Sequence, residues 1–395
     1  MTTGVAPPTL TPPALTPGRV GWSLAAHFAS SLAIGIAIGG MVPLIALTLE
    51  HRGVDPVLIG VNSAIGSLGV IVGAPLVPSM IRRFGAAEGI VLGLVLTTVS
   101  VIGLAFTDNL GLWLILRFLT GFGVATQWVV SETWMQAIVP ERRRGLVMSV
   151  YVTSIAAGFA VGPVLLTLAG TEGVLPFALF AGMIAATALP MLPIRRWAPV
   201  LALEQRGSVG RLLREAPTVA IAAVAVGLVD SAFFTFIPLF GLRIGLPHDT
   251  AITLLTAVLV GNVVLQIPLG WLADRMNRRA LLVVLGLACC IGPAVAAWTL
   301  SSGSPAAYPV LFLWGGAGFG LYTAALTLLG ERYRGGELAA ANAEFVMTFE
   351  LANLAGPPAA GWAMEAWSPH GLMAWMTVVA VGFVTVALVR GLQRR

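Results

Sequence analysis

Six ionisable side chains lie inside long apolar runs of this sequence, where charged groups are rare. They are His27, Arg117, Glu132, Asp230, Glu344 and Glu350. If the runs cross a bilayer, a charge near its centre costs about 2.5–3.5 kcal/mol on insertion scales, so such residues usually face a cavity or a partner. These six residues are therefore the first candidates for binding or proton transfer.

Two of the acids lie in the second half of the chain, Asp230 in the seventh apolar run and Glu350 in the eleventh. A carboxyl group among apolar residues binds a proton more readily than one in water, so either acid could carry a coupled proton or neutralise a cationic substrate. The alternative for Asp230 is helix packing through a neighbouring hydroxyl. Asn353 follows Glu350 by about one helical turn on the same face, whereas Glu344 points about 240° away from Glu350 and forms no dyad with it.

Three further polar residues lie within spans of the first half. Arg117 is roughly 10 Å from the outer end of the fourth run, which predicts a site for an anion or for proton coupling. Its alternative role is a structural bond to backbone carbonyls of the first or fifth helix. His27 could change its charge near neutral pH, although a single histidine without an assigned partner is more often structural. Gln127 could line a cavity or join two helices through hydrogen bonds.

The sequence contains no arrangement typical of an enzyme or a cofactor protein. The glycines of residues 315–320 resemble a nucleotide loop but lack the strand–loop–helix context that such a loop requires. Cys289 and Cys290 are adjacent, which suits neither a disulfide nor a metal site. The Trp and Met residues show no cage or cofactor spacing along the chain. We therefore expect no catalytic residue, no cofactor and no metal.

The elements that carry these residues are twelve apolar runs long enough to cross a membrane. The chain has 395 residues, of which 57% are hydrophobic and only 10% charged, against roughly 25% charged in soluble domains. This composition excludes a cytosolic enzyme, a secreted disulfide scaffold and a disordered regulator. About 20 apolar residues cross a bilayer, so an all-α membrane protein of twelve transmembrane helices is predicted.

The arginines orient these helices. All 22 basic residues are arginines. With the amino terminus inside, nineteen fall in inner segments, Arg52 and Arg243 fall in outer loops and Arg117 lies in a span. Such a bias is typical of cytoplasmic loops, so both termini are predicted to be cytoplasmic in a multi-pass inner-membrane protein. The basic residues form no continuous face, and no nucleic-acid partner is expected.

The longest inner connection lies near the chain midpoint and divides the spans into six plus six. The predicted organisation is a disordered Pro-rich tail at 1–18, a bundle at 19–194, a cytoplasmic linker at 195–215, a bundle at 216–391 and a basic tail at 392–395. A weak repeat supports the division, since Gly162-Pro163 in the fifth span is echoed by Gly356-Pro357 in the eleventh. Parallel halves of this kind are typical of secondary transporters.

Several motifs give a specific resemblance. The segment GWLADRMNRR at 270–279, with Asp274 and Arg275, resembles the loop signature G-x-L-a-D-R-x-G-R-R of the major facilitator superfamily, with Asn277 in place of its Gly. Arg117, Gly121 and Gly123 resemble its R-x-x-x-G-x-G element. Residues 158–163, GFAVGP, resemble the beginning of a motif common in its antiporters, without the closing Gly-Gly. Residues 128–132, 144–145 and 337–342 are similar to the YcaD-like branch.

The resemblance implies a transporter that alternates access between two six-helix halves. We expect proton-coupled efflux of a small organic solute by a monomer, with protons and membrane lipid as its other partners. Uptake by proton symport is an alternative, and so is a non-transporting membrane sensor or assembly factor that kept the fold, because fold does not establish function. An intramembrane enzyme would need a nucleophile–base pair, which the sequence lacks.

The first-half copy of the loop signature departs from the pattern in a way that predicts a gate. Arg82 stands at the usual Asp position, and a helix amino terminus would repel it. We therefore expect two latches between the halves that form when the inner face is closed, and which would favour an outward-facing state. Their members are Arg82 or Arg83 with Glu337 or Glu344, and Asp274 with Arg142, Arg143 and Arg144. Glu132 is expected to pair with Arg83 or with the arginine cluster. Alternatively, these arginines only set topology and contact lipid phosphates.

Overall fold

The computed structural model describes residues 16–199, 209–333 and 335–392, and their regular secondary structure is helical throughout. The first half contains eight α-helices: α1 (Pro17–His51), α2 (Pro56–Gly73), α3 (Val77–Phe84), α4 (Ala86–Ala105), α5 (Leu110–Ile138), α6 (Glu141–Ala169), α7 (Leu175–Ala186) and α8 (Ala188–Ile194). The others are α9 (Val209–Glu215), α10 (Pro217–Arg243), α11 (His248–Arg275), α12 (Arg278–Ser301), α13 (Ala307–Arg332), α14 (Gly335–Ala366) and α15 (Gly371–Leu392).

Within the described residues these fifteen helices form twelve membrane crossings. α2 and α3 together form one crossing, α7 and α8 form another, and the short α9 belongs to the linker. Eleven of the segments are long and apolar enough to span a membrane. The remaining long helix is α14, whose hydropathy is lowered by Glu344, Glu350 and Asn353. The predicted twelve-helix, two-bundle fold is confirmed. The second span was predicted as one helix, but it is broken at residues 74–76, where Pro75 cannot donate a backbone hydrogen bond.

Local signals explain where the helices begin and end. Asp55 and Asn109 cap α2 and α5 by accepting hydrogen bonds from backbone N–H groups three residues on. Gly53 and Gly245, with φ of 72° and 88°, occupy equivalent turns after α1 and α10. Both turns need the left-handed backbone that glycine adopts without strain.

The same helix pairs pack in each half. In the first half α1 packs on α6, α2 on α5, and α4 on α5 and α7. In the second half α10 packs on α14, α11 on α13, and α12 on α13 and α15. These pairs correspond one to one along the chain, in agreement with the weak sequence repeat. The proposed boundaries remain a prediction, because the first residues, the middle of the linker and the last three residues lie outside the described parts of the chain.

The glycines predicted to be structural lie at helix crossings. A Cβ on Gly121 would strike the Gly66 carbonyl of α2, and one on Gly123 would strike Gly93 of α4. Gly162 lies against Gly40 of α1, one residue before the helix-interior Pro163. Gly356 and Pro357 lie in α14, where Gly356 packs against the backbone of Leu228 in α10. Small residues at these places let helices approach closely in lipid.

Candidate functional site

Asn353 joins the two acids of the second half. Its side-chain carbonyl accepts hydrogen bonds from the backbone N–H and the hydroxyl of Ser231, at 3.2 and 2.8 Å. The same side chain lies near enough to interact with the carboxyls of Asp230 on α10 and Glu350 on α14, which also interact electrostatically with each other. An amide has two N–H donors besides its carbonyl, so the buried Asn353 side chain has donors to offer both carboxyls. Two carboxyl groups from different helices therefore meet near one amide.

Tyr322 of α13 is part of the same site, although it was not predicted from the sequence. Its ring makes edge contacts with Phe345 and Phe349 of α14, with centroids 5.0 and 5.4 Å apart. Its hydroxyl interacts electrostatically with Glu350 and Asp230 and also with Glu132 of the other half. The only sequence signal was a tyrosine within an apolar span, which ordinary packing would also explain.

Glu132 of α5 approaches this group from the first half. Its carboxyl interacts electrostatically with Tyr151 of α6 and with Tyr322. Among the described side chains, no ion pair joins Glu132 to Arg83 or to the arginines at 142–144. Glu132 thus interacts with Tyr322 of the second half, and the expected pairing with Arg83 or with the arginine cluster is not found among the described ion pairs.

Arg117 lies apart from the acids. Its buried guanidinium donates from Nε to the backbone carbonyl of Asn62 in α2 at 3.4 Å. It packs against Gly66, where a Cβ would collide with it. Ser63 and Thr235 line the same small space and share a hydrogen bond of 2.9 Å. This placement agrees with a structural bond to a backbone carbonyl, but the carbonyl lies in α2, the second span, and not in the first or fifth helix as expected, because the Arg117 face of α5 packs on α2.

A second buried polar group lies in the first half. The ring of His27 contacts the edge of Trp134, with centroids 5.2 Å apart. Both ring nitrogens of His27 lack a protein hydrogen-bond partner in the described structure, as do the Gln127 carbonyl oxygen and the Ser131 hydroxyl. Buried polar atoms are ordinarily satisfied, so this part of the first half is suited to contact with polar groups outside the chain.

The two ends of the molecule differ. We call the end with the loops at 52–55, 106–109, 170–174, 244–247, 302–306 and 367–370 the distal end, and the end with both chain termini the termini end. At the distal end Arg243 of α10 binds Glu50 of α1 through two hydrogen bonds of 2.7 and 3.0 Å. Arg243 also donates to the hydroxyl of Ser368 at 3.3 Å.

Further distal contacts join the halves. Thr171 and the His248 ring share a hydrogen bond of 2.8 Å. In α14, Gly361 lies against the backbone of Pro56 at the start of α2. One turn further along α2, Gly60 lies against the backbone of Pro357. The structure is therefore closed at the distal end.

At the termini end Arg82 and Arg83 have contacts within the first half. Arg82 donates to the hydroxyl of Ser79 at 2.9 Å, and the Arg83 guanidinium lies over the Phe84 ring. Glu337 is exposed, and Glu344 is buried within the electrostatic field of Arg211.

The second predicted latch joins Asp274 to the arginines at 142–144. Arg144 donates to the carbonyl of Val139 at 3.3 Å, Arg142 and Arg143 are exposed, and Arg275 lies over the Trp271 ring. The side chain of Asp274 lies outside the described residues. Because the structure is closed at the distal end, it does not test latches that need a closed termini end.

Comparison with known proteins decides the family. The sequence profile of the Major Facilitator Superfamily matches residues 24–329 and 219–394. The chain belongs to the Major Facilitator Superfamily. Its relatives include YfkF of Bacillus subtilis, an uncharacterized MFS-type transporter that is 25% identical over 367 residues, which cover 90% of this chain and 92% of YfkF. YcaD of Escherichia fergusonii, also an uncharacterized MFS-type transporter, is 26% identical over 357 residues, which cover 89% of this chain and 91% of YcaD.

Solved structures of superfamily members have the same fold. A D-xylose–proton symporter superposes with a TM-score of 0.73 at 18% identity, covering 94% of this chain and 97% of the symporter. A bacterial homologue of the human lysosomal transporter Spinster, inward-facing and occupied, gives 0.74 at 13% identity, covering 94% and 96%. The predicted resemblance to the superfamily and to its YcaD-like members is confirmed. This chain is a multi-pass membrane protein of a transporter family.

Proposed function

We propose that this superfamily member is a proton-coupled secondary transporter that exports a small organic solute by alternating access. The observation that carries the proposal is the pair Asp230 and Glu350, whose carboxyls interact with each other and with the Asn353 side chain. Two carboxyl groups this close repel each other when both are ionised, so one is favoured in its protonated form. A proton can therefore be bound or released here in response to a neighbouring charge.

The position of Glu132 supports coupling to the movement of the halves. Glu132 belongs to the first half, and its electrostatic partner Tyr322 belongs to the second. When the halves rotate from a state closed at one end to a state closed at the other, the distance between Glu132 and Tyr322 must change. The affinity of the acid group for a proton then differs between the two states, which is what coupling requires.

Export is favoured by residues 158–163, which resemble the antiporter element. Gly158 and Gly162 lie against the backbone of α1 around Gly35 and Gly40, so this contact between α6 and α1 is as close as backbones allow. Proton symport is the competing direction. We place both termini in the cytoplasm on the arginine distribution, and we propose that the monomer is the working unit in the inner membrane.

The test uses everted membrane vesicles that contain the full-length protein and a fluorescent reporter of lumenal pH. Respiration acidifies the lumen, and a panel of organic cations, organic anions and sugars is then added. We expect at least one compound to release protons from the lumen only when the protein is present. Proton movement in the same direction as the solute would instead indicate symport, and solute movement with no proton movement would exclude coupling.

Two variants locate the coupling. Asp230→Asn and Glu350→Gln should abolish solute-driven proton release, while solute exchange in the absence of a gradient continues in Asp230→Asn. Glu365→Gln is the matched control, because Glu365 lies on the same helix as Glu350 but is exposed at the distal end. Unchanged proton release in both acid variants would refute the assignment to this pair.

A further inference from the structure

An open groove lies at the distal end of the first half, between the loops at 52–55 and 106–109. It has a volume of about 520 Å³, within the range of about 300–1,000 Å³ that is typical of small-molecule sites. Its lining combines two charged side chains with four apolar ones, which are Arg52, Asp108, Leu49, Val54, Leu110 and Trp113. The groove therefore has room for a ligand that carries both charged and apolar groups.

Three contacts fix Arg52 in this groove. Its guanidinium lies over the buried ring of Trp113, 4.8 Å from the centroid, and pairs with Asp108 at 3.0 Å. It also donates from Nη1 to the backbone carbonyl of Thr107 at 3.3 Å. The Trp113 ring is itself held by donating from Nε1 to the same carbonyl at 2.8 Å. A guanidinium has five N–H donors, so Arg52 has donors left for a ligand while these contacts persist.

The two charges of the groove cancel each other and are both accessible. The side chain of Asp108 is 91% exposed and that of Arg52 is 30% exposed. An anion that bound Arg52 alone would lie beside the Asp108 carboxylate and be repelled, and a cation that bound Asp108 alone would be repelled by Arg52. The pair therefore favours a zwitterion, whose anionic group contacts Arg52 and whose ammonium group contacts Asp108.

A lipid-facing stripe leads along α4 to this groove. Its members are large apolar side chains that are exposed, namely Leu92, Val95, Val99, Ile102 and Phe106. Their spacing of three and four residues places them on one side of the helix, over a length of about 21 Å at 1.5 Å per residue. Phe106, the last of them, is 71% exposed and lies two residues before Asp108. An acyl chain along this stripe would thus end at the charged pair.

The depth of the pair in the membrane follows from the second half. Trp298 is 71% exposed and lies three residues before the end of α12, the counterpart of α4. Tryptophan is enriched at the boundary between hydrocarbon and headgroups. Phe106 reaches a similar level at the end of α4, so Arg52 and Asp108 lie just beyond it, at the depth of the headgroups.

The second half forms the same turn without these charges. Gly53 and Gly245 occupy equivalent turns, so Ile244 stands where the first half has Arg52. The loop at 302–306, which corresponds to 106–109, contains no charged residue. The fold therefore does not need the charged pair to close this turn, and the pair is a feature of the first half alone.

We propose that this groove binds a phospholipid with an ethanolamine headgroup, taken from the leaflet on the distal side. Arg52 donates to the phosphate, Asp108 accepts from the ammonium group, and an acyl chain lies along the lipid-facing stripe of α4. A choline headgroup offers Asp108 no N–H donor, and a glycerol headgroup leaves a net negative charge beside Asp108. The inference goes beyond the proposed function, because binding of the lipid requires neither a solute nor a proton gradient.

The test titrates lipid into the delipidated full-length protein in detergent and follows the first bound lipid by native mass spectrometry. The probes are palmitoyl-oleoyl phosphatidylethanolamine and phosphatidylglycerol, which have the same chains and different headgroups. We expect the ethanolamine lipid to bind with at least about tenfold higher affinity. Asp108→Asn should weaken the ethanolamine lipid and strengthen the glycerol lipid, because it removes both an acceptor and a repulsion, so the preference should disappear.

The phosphate contact is tested with Arg52→Gln, which should weaken both lipids by about tenfold. If Arg52→Gln fails to fold, Arg52→Lys keeps the positive charge and should bind both lipids more weakly than wild type while retaining the preference for ethanolamine. Asp249→Asn is the matched control for Asp108→Asn, because Asp249 is an exposed acid at the distal end of the second half.

The source of the headgroup is tested with glycerophosphoethanolamine, which has the same charged groups and no acyl chains. It should bind at least about 100-fold more weakly than the lipid. Phe106→Ser should weaken binding of the ethanolamine lipid severalfold. Leu168→Ser is its control, because Leu168 is 79% exposed near the distal end of α6 but lies outside the stripe.

Three outcomes overturn the inference. Equal affinity of the wild-type protein for the two lipids, or an unchanged preference in Asp108→Asn, would show that the charged pair does not select the headgroup. Binding of glycerophosphoethanolamine as tight as that of the lipid would show that the ligand is a soluble zwitterion and not a phospholipid.

Discussion

The distal end and the termini end hold the two halves together in different ways. At the distal end, helix backbones of opposite halves touch at Gly60 and Gly361, and Arg243 forms a bidentate pair with Glu50. At the termini end, Arg82 and Arg83 bind within their own half. The distal end is thus closed by direct packing of backbones and by the ion pair of Arg243 with Glu50. The termini end instead presents charged groups that can change partners when the halves move.

The strength of the distal contacts follows from their burial. The side chains of Arg243 and Glu50 are 23% and 21% exposed, so their pair is screened less than a surface pair, which contributes about 0–1 kcal/mol. The backbone contacts depend on shape alone and tolerate no extra atom. The predictions below alter contacts of the two ends in order of expected effect. The first three are read from the distance between spin labels at Glu172→Cys and Ser302→Cys on opposite halves of the distal end, in a background with Cys289→Ala and Cys290→Ala.

The largest effect is expected from Gly60→Ala. The added Cβ would strike the backbone carbonyl of Pro357, and overpacking of this kind costs about 1–3 kcal/mol. The distal end should then open, with the label distance increasing in most molecules. Gly182→Ala is the control, because Gly182 is a helical glycine with open space around it. A Gly60→Ala protein with the wild-type distance would show that this contact does not set the closed state.

The next effect is expected from Glu50→Gln. Removing one member leaves Arg243 partly buried without its counter-charge, and we expect the distal end to open by roughly 1–2 kcal/mol, about a 5- to 30-fold change in the ratio of states. Exchanging the two residues, Glu50→Arg with Arg243→Glu, should restore part of the closure.

Asp108→Asn is the control for this pair. It breaks the 3.0 Å ion pair of Asp108 with Arg52, which lies at the same end but within one half. An equal shift in Asp108→Asn and Glu50→Gln would mean that loss of charge, rather than the contact between halves, causes the opening.

A smaller effect is expected at the predicted latch of the termini end. Arg82→Glu should weaken the state closed at the termini end and so favour the distally closed state by less than about 1 kcal/mol. Adding Glu337→Arg should return the balance toward wild type. Arg390→Glu provides the control for a charge reversal at the same end. A double variant no closer to wild type than Arg82→Glu alone would remove Glu337 as the partner.

The smallest effect concerns the attachment of the linker helix α9 at the termini end. Tyr333 donates to Glu215 Oε2 at 2.8 Å and Arg211 donates to it at 3.2 Å, and these two bonds lower the pKa of Glu215. A depressed carboxyl pKa means that the attachment is complete above its ordinary value of 4.5 and is lost as pH falls through the lower, folded value.

Tyr333→Phe should therefore move the loss of attachment to higher pH. The measurement is amide hydrogen exchange of residues 209–215 against pH, corrected for the intrinsic exchange rate, with Tyr308→Phe as the control at the distal end. The same pH dependence in Tyr333→Phe and wild type would show that this hydroxyl does not hold the helix.

Much of the fold could be predicted because the membrane constrains it so strongly. Apolar runs of sufficient length must be helices that satisfy their own backbone, and the motifs around Arg117 and Asp274 indicated the superfamily. The break of the second span at Pro75 and the division of the sixth at Thr187 were missed, because an apolar run has the same composition whether or not its helix is continuous.

The sequence by itself determined the number of membrane crossings, the family and the acids Asp230 and Glu350, since an ionisable group in an apolar run is visible without coordinates. Only the tertiary structure decided which of these groups meet. The approach of Asn353 to two acids, the contacts of Tyr322 with Phe345 and Phe349, and the pair of Glu50 with Arg243 all depend on how each helix is rotated and where it crosses its neighbours. Those angles are set by packing between residues far apart in the chain, and no local pattern of residues encodes them.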